Sequence, residues 1–102
     1  MKIDFTQQLK DEDGCIAKQL DASGKETVLT LQWLSSFALL RQAPEGYDVV
    51  ELYKLGMQII NSTEPLDLTV EQVALIQNRI KKLSLFPVIT GQAILLLNQS
   101  EI

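Results

Sequence analysis

No histidine occurs anywhere in this 102-residue chain. Its absence excludes Ser-His-Asp and Cys-His nucleophilic systems, imidazole acid–base chemistry and most zinc sites. Cysteine is reduced to Cys15, so no intrachain disulfide can form, and a reducing, cytoplasmic compartment is expected. Asp11, Glu12 and Asp13 beside it oppose thiolate formation, which makes Cys15 a structural residue on this reading and not a nucleophile. Glycines are scattered singly, so neither a phosphate-cradling loop nor a dinucleotide fingerprint is present. Basic residues are also few. Nine Lys and Arg against thirteen Asp and Glu leave a net charge of −4, the wrong sign for a chain that must neutralise phosphates. The most apolar stretch, Leu83 to Leu97, is interrupted by Ser84, Pro87, Thr90, Gly91 and Gln92. It falls short of the roughly 20 residues that span a bilayer and reads as a buried helix. The opening Met1-Lys2-Ile3-Asp4-Phe5 alternates polar with apolar and lacks the apolar core of a signal peptide.

What is present points to an α+β fold. Hydrophobic residues make up 46% and charged residues 22%, values of an ordinary globular chain, and the length suits one domain over residues 1–102. Residues 1–29 are expected to form a β-hairpin or small antiparallel sheet. Ile3 and Phe5 share one face of a strand, Asp11 to Gly14 supplies turn chemistry before Cys15-Ile16-Ala17, and a second turn at Asp21 to Gly24 precedes Thr27-Val28-Leu29. Residues 30–98 are expected to form about four helices in a compact bundle. Thr30 caps a first helix over 31–42, which Ala43-Pro44-Glu45-Gly46 ends. Asp48 and Glu51 make a capping box for a second helix ending near Asn61. Its polar face is Glu51, Lys54 and Gln58, opposed by a wide apolar face of Val49, Leu52, Tyr53, Gly56, Ile59 and Ile60 that predicts burial on more than one side. After the extended Leu66-Asp67-Leu68, Thr69 and Gln72 form another capping box. The third helix runs from Val70 to about Leu83 with a stripe of Val70, Val73, Ile76, Ile80 and Leu83. Pro87 opens a fourth helix to Leu97, apolar nearly all round and therefore placed at the centre of the core, and Gln99 to Ile102 are expected to fray.

The residues that invite a chemical role are few. A calcium loop built on Asp11, Asp13 and Gly14 would put Leu9 first and Leu20 twelfth, so two required carboxylates are missing and a solvated turn remains. Glu51, Asp67 and Glu71 are carboxylates near helix starts, where capping and the helix dipole account for them. Arg79, Lys81 and Lys82 form a basic cluster on the polar side of the third helix, the only surface suited to contact nucleic acid. Trp33 and Phe37 lie one turn apart on the first helix and, with Tyr53, serve as core or as partner contacts. In the fourth helix Gly91 costs about 1 kcal/mol relative to alanine. Close approach of a neighbouring element at Gly91 is therefore expected, with Gln92 bonding backbone groups at an edge, or the pair contacting a partner. No catalytic set and no cofactor site emerge.

The order of elements, together with Met1-Lys2-Ile3-Asp4-Phe5, the Asp11 to Gly14 turn, Leu29-Thr30-Leu31, Tyr53-Lys54-Leu55-Gly56, Leu68 to Ile76, Pro87-Val88, Gly91-Gln92-Ala93 and Leu96-Leu97, resembles a family of small, uncharacterised phage- and prophage-encoded proteins. The stretch Ala17 to Lys25 is longer here than the family's hairpin region. The resemblance implies a phage or prophage setting, and the absence of catalytic machinery makes the expected role that of a non-enzymatic accessory protein working through a protein partner or homo-oligomer, in assembly or in modulating a host protein. The alternative is a small regulatory protein that meets nucleic acid through Arg79, Lys81 and Lys82.

Overall fold

Thr30, standing before a run of good helix formers, places its side chain as expected: its Oγ1 accepts from the Trp33 amide at 3.0 Å and opens helix α1 (Leu31–Leu40). The two amides before Trp33 are satisfied by the N-terminal segment, Leu31 N donating to Gln7 O and Gln32 N to Phe5 O, both at 2.9 Å. The helix start can therefore be buried without orphaned donors. The computed structural model describes residues 2–20, 23–83 and 87–98. Its elements run β1 (Lys2–Ile3), β2 (Lys18–Leu20), β3 (Glu26–Val28), α1, α2 (Val49–Ile60), β4 (Leu66–Asp67), α3 (Val70–Lys81) and α4 (Pro87–Asn98). This is the expected α+β fold with a four-helix bundle.

The pairing within it differs from the expected hairpin. β1 pairs antiparallel with β4, Lys2 opposite Asp67 and Ile3 opposite Leu66, while β2 and β3 form a separate hairpin. Ile3 and Phe5 are buried, and burying their face against the helices decides where β1 lies more than nearness in sequence to residues 15–17 does. The Asp11 to Gly14 turn forms, with Asp11 Oδ1 accepting from Asp13 N at 2.9 Å and Cys15 N at 3.0 Å. It joins Lys10 to Ile16 by an isolated bridge. Three extended segments then meet in a closed ring of backbone bonds: Leu9 N donates to Leu29 O, Leu29 N to Ala17 O, and Ala17 N to Leu9 O, at 2.8 to 2.9 Å. All three residues are buried, so the ring removes peptide groups from water with their bonds made. The stretch from Ala17 onward that looked long is this ring and the β2–β3 hairpin. The expected turn residues Asp21 and Ala22 and the tail 99–102 lie outside the described residues.

Helix α1 occupies the centre, packing on both α2 and α3, and α4 packs on α3 at the periphery. This corrects the placing of the fourth helix at the core. Leu31, Leu34, Ser35 and Ala38 of α1 are inaccessible, whereas α4 buries Ile89, Ala93 and Leu97 and leaves Leu95 63% exposed. An all-round apolar sequence does not say which sides meet protein. Helix α1 ends two residues sooner than expected and α3 stops at Lys81. In α2 the Asp48 carboxylate accepts from Val50 N at 2.8 Å and more weakly from Glu51 N at 3.4 Å, but Glu51 does not reach back, so only half of that capping box is made. The box at α3 is complete: Gln72 N donates to Thr69 Oγ1 at 3.1 Å and Thr69 N to Gln72 Oε1 at 2.9 Å. Thr69→Ala is expected to cost about 1 kcal/mol in urea denaturation, and Thr69→Ser to retain most of that.

Before β1 gives way to the Phe5 segment, the Asp4 carboxylate accepts from both the hydroxyl and the amide of Thr6, at 2.5 and 2.9 Å. These two bonds hold its pKa below the usual carboxylate value, the hydroxyl contributing most. A depressed folded-state pKa gives stability that is present above the unfolded value and lost as pH falls through the folded one. The melting-temperature difference between the wild type and Asp4→Ala should accordingly shrink as pH drops below about 4, the unfolded carboxylate range.

Candidate functional site

Two arrangements gather the residues singled out in the sequence. The first is a buried polar clamp. Arg79, expected on an exposed basic face, is 0% exposed. Its Nη2 donates to Ala43 O at 2.7 Å, its Nη1 to Pro44 O at 3.4 Å, and its guanidinium lies 5.3 Å from the Tyr47 ring centroid. Glu45 lies 3.9 Å from Nη1 and 4.0 Å from Lys82 Nζ. The loop it holds turns tightly, Tyr47 N donating to Pro44 O at 3.0 Å while Glu45 and Gly46 have φ of 48° and 92°. Both central residues are thus in the left-handed region, which suits Gly46 and is uncommon for a glutamate. Gln42 adds a second tie, its Nε2 donating to Ala38 O at 2.8 Å and Arg79 O at 2.7 Å. The arginine therefore fixes the α1–α2 connection and is withdrawn from any nucleic-acid surface. Of the basic cluster, Lys81 and Lys82 remain exposed.

The second arrangement is an apolar face along α1 and α2. Trp33 and Phe37 stack with ring centroids 5.0 Å apart and planes 20° from parallel, and both rings are only half-buried. With Leu40, Met57 and Ile60 they line an open groove of about 310 Å³, edged by Ser36 and Arg41. One turn before Met57 on α2 stands Tyr53, which is 59% exposed, whereas the exposed Val50 lines a separate cleft with Glu51, Lys54 and Gln58. The expectation that α2 is buried on more than one side is corrected here. Leu52, Leu55, Gly56 and Ile59 meet the core, and Val49, Tyr53 and Ile60 face water. A second bonded group fixes how α2 sits against α1: Gln32 Nε2 donates to Ile59 O and Ser62 O, both at 2.8 Å, satisfying carbonyls at the α2 C-terminus.

Gly91 and Gln92 do not join this face, since no residue of α4 lines the groove. Gly91 is exposed, and a Cβ there would meet nothing within 4 Å, so the close approach expected of it is absent. That role belongs to Gly56, where a Cβ would stand 2.5 Å from Leu40 Cγ. Gln92 does pair with an edge: its Oε1 accepts from Lys10 N at 2.9 Å and its Nε2 donates to Lys10 O at 2.7 Å, docking α4 on the N-terminal segment. Cys15 is exposed and not packed as a structural cysteine; its backbone, not its thiol, supports the turn.

The carboxylates are not drawn together. Glu51 lines a shallow cleft of about 450 Å³ with Asp48, Val50, Lys54, Leu55, Gln58 and Gln72, but neither Asp67 nor Glu71 does. Asp48 is committed to capping α2. Among the described residues no group of three or more Cys, Asp or Glu is placed to hold a metal ion, and no helix is long and apolar enough to cross a membrane. The apolar face of α1 and α2 is thus the candidate surface that gathers the aromatic pair singled out in the sequence. Its chemistry is that of contact, with aromatic and aliphatic side chains ready to be desolvated and one cation at the edge. No protein-family model, curated protein or solved structure matches the chain.

Proposed function

We propose that this is a non-enzymatic accessory protein that works by binding protein through the outer face of α1 and α2. One observation carries the reading: Trp33, Phe37, Leu40, Met57 and Ile60 form an open groove with the exposed Tyr53 one turn from Met57, Trp33 also packing against the buried core. A contiguous apolar surface of aromatic character is what a protein interface needs at its centre, and one left to water carries an aggregation liability. The phage or prophage setting, with a role in assembly or in modulating a host protein, rests on the sequence resemblance.

Affinity capture from cells carrying the parent genetic element would test it, with the Phe37→Glu and Ile60→Glu variants as controls. The wild type should recover a defined protein, this chain included, and both variants should lose it while keeping their helical circular dichroism. Recovery of no protein by the wild type, or equal recovery by both variants, would remove the reading.

A further inference from the structure

We infer that Asp13 is a site of spontaneous backbone modification, its side-chain carboxyl closing on the Gly14 nitrogen to a succinimide that reopens as isoaspartate. Ring closure needs a short carboxyl side chain and a following residue that leaves its nitrogen open to attack. The sequence supplies both at one place. Asp13-Gly14 is the single Asp-Gly pair in the chain, and there is no Asn-Gly pair. The other glycines follow Ser23, Glu45, Leu55 and Thr90. Of these only Glu45 carries a carboxyl, and its extra methylene closes a larger ring more slowly.

The fold leaves this pair accessible. Asp13 and Gly14 are both exposed at the tip of the turn that Asp11 organises. A Cβ at Gly14 would meet nothing within 4 Å, so a ring can form at its nitrogen without displacing a neighbour. The Asp13 carboxylate accepts no hydrogen bond and joins no ion pair among the described residues, unlike that of Asp11, which accepts from Asp13 N and Cys15 N. It can therefore swing to the nitrogen without losing a partner. One bond must be given up, that from Gly14 N to Asp11 O, which at 3.1 Å is the longest in the turn.

In the closing step the Gly14 nitrogen bonds Asp13 Cγ and gives up its hydrogen, and the carboxyl hydroxyl leaves with that hydrogen as water. Water then adds to one of the two ring carbonyls. Addition at Cγ restores aspartate; addition at the backbone carbonyl carbon breaks the original peptide bond and leaves the chain running through Cγ. Neither an oxidant nor a partner is required, and the mass is unchanged. The product carries one more main-chain carbon between Asp13 Cα and Gly14. Bonds that reach across the insertion lose their geometry: Gly14 N to Asp11 O, Cys15 N to Asp11 Oδ1, and Asp11 N to Cys15 O. The bond from Asp13 N to Asp11 Oδ1 lies before it and is kept.

Incubation of the folded full chain at neutral pH and body temperature, followed by tryptic mapping, tests this. The peptide spanning 11–18 should split into two chromatographic species of equal mass, the new one identified as isoaspartate at position 13 by fragmentation. Asp13→Glu should leave that peptide single, and Asp13→Asn should convert faster, because an amide expels ammonia more readily than a carboxyl expels water. In the aged wild type, amide exchange should show protection lost at Gly14 and Cys15 and retained at Asp13. Isoaspartate that forms only after the chain is unfolded in urea, or in greater amount at any other aspartate, would overturn the proposal. A modified chain in which Gly14 and Cys15 keep their protection would overturn its structural consequence.

Discussion

Arg79→Ala should lower the unfolding free energy by about 3 kcal/mol, since it removes a buried charge-assisted donor and leaves carbonyls and a cavity behind. Ala43 O and Pro44 O would lose the guanidinium that bonds them, and the Tyr47 ring its stacked cation. The turn at Glu45 and Gly46 would lose the group that offsets its left-handed backbone. Arg79→Lys should recover less than half of the loss, because one ammonium cannot span two carbonyls with the planar fork of an arginine. Urea denaturation of the two variants checks both statements. An Arg79→Ala change within about 0.5 kcal/mol of wild type, the range of surface substitutions, would return Arg79 to the protein surface and revive a basic face on α3.

Gly56→Leu is expected to destabilise by about 3 kcal/mol, the upper end of overpacking costs, or to prevent folding. A Cβ at 56 would stand 2.5 and 2.6 Å from Leu40 Cγ and Cδ2, so that a larger side chain must displace the Leu40 side chain or push α1 and α2 apart. Their separation would also strain the bonds from Gln32 to the end of α2. Gly56→Ala tests the same contact more gently: helix propensity favours alanine by about 1 kcal/mol, and a net loss of stability would show that the clash with Leu40 outweighs it. The contrast lies in α4. Gly91→Ala meets open space and should stabilise by up to about 1 kcal/mol. Equal melting temperatures for Gly56→Leu and wild type would mean that the two helices do not approach closely at this point.

The glycines illustrate which inferences a linear chain permits. Gly56 and Gly91 each sit inside a helical, mostly apolar run, and nothing local distinguishes the one that admits a neighbouring helix from the one that faces water. Arg79 is a parallel case. Its place on the polar side of an amphipathic pattern predicted exposure, yet the loop 43–47, more than thirty residues earlier, folds back over it. Gln92 was readable to a greater degree, because an amide in an apolar helix needs backbone partners, although only the fold names Lys10 as that partner.

For the candidate site the sequence supplied Trp33, Phe37 and Tyr53 as aromatic anchors but left their destination open between core and partner surface. Gly91 and Gln92 were grouped with them and stand elsewhere. Met57 and Ile60, which complete the groove, carried no separate signal, because an apolar residue in a helix reads the same whether its neighbour is the core or solvent.

By itself the sequence determined the α+β class, the four helices, the caps at Thr30, Asp48 and Thr69, the Asp11 to Gly14 turn, and the exclusion of histidine and disulfide chemistry. Those features depend on residue identity and on spacings of a few positions, where one amide or hydroxyl finds its partner within a helical turn. Tertiary structure alone decided that β1 joins β4, that α1 and not α4 is central, that Arg79 is buried, and that one face of α1 and α2 is left to water. Each of these is a choice among several apolar or polar surfaces of similar local appearance. Such a choice is made by the free energy of burying all of them together, to which no single segment holds the answer.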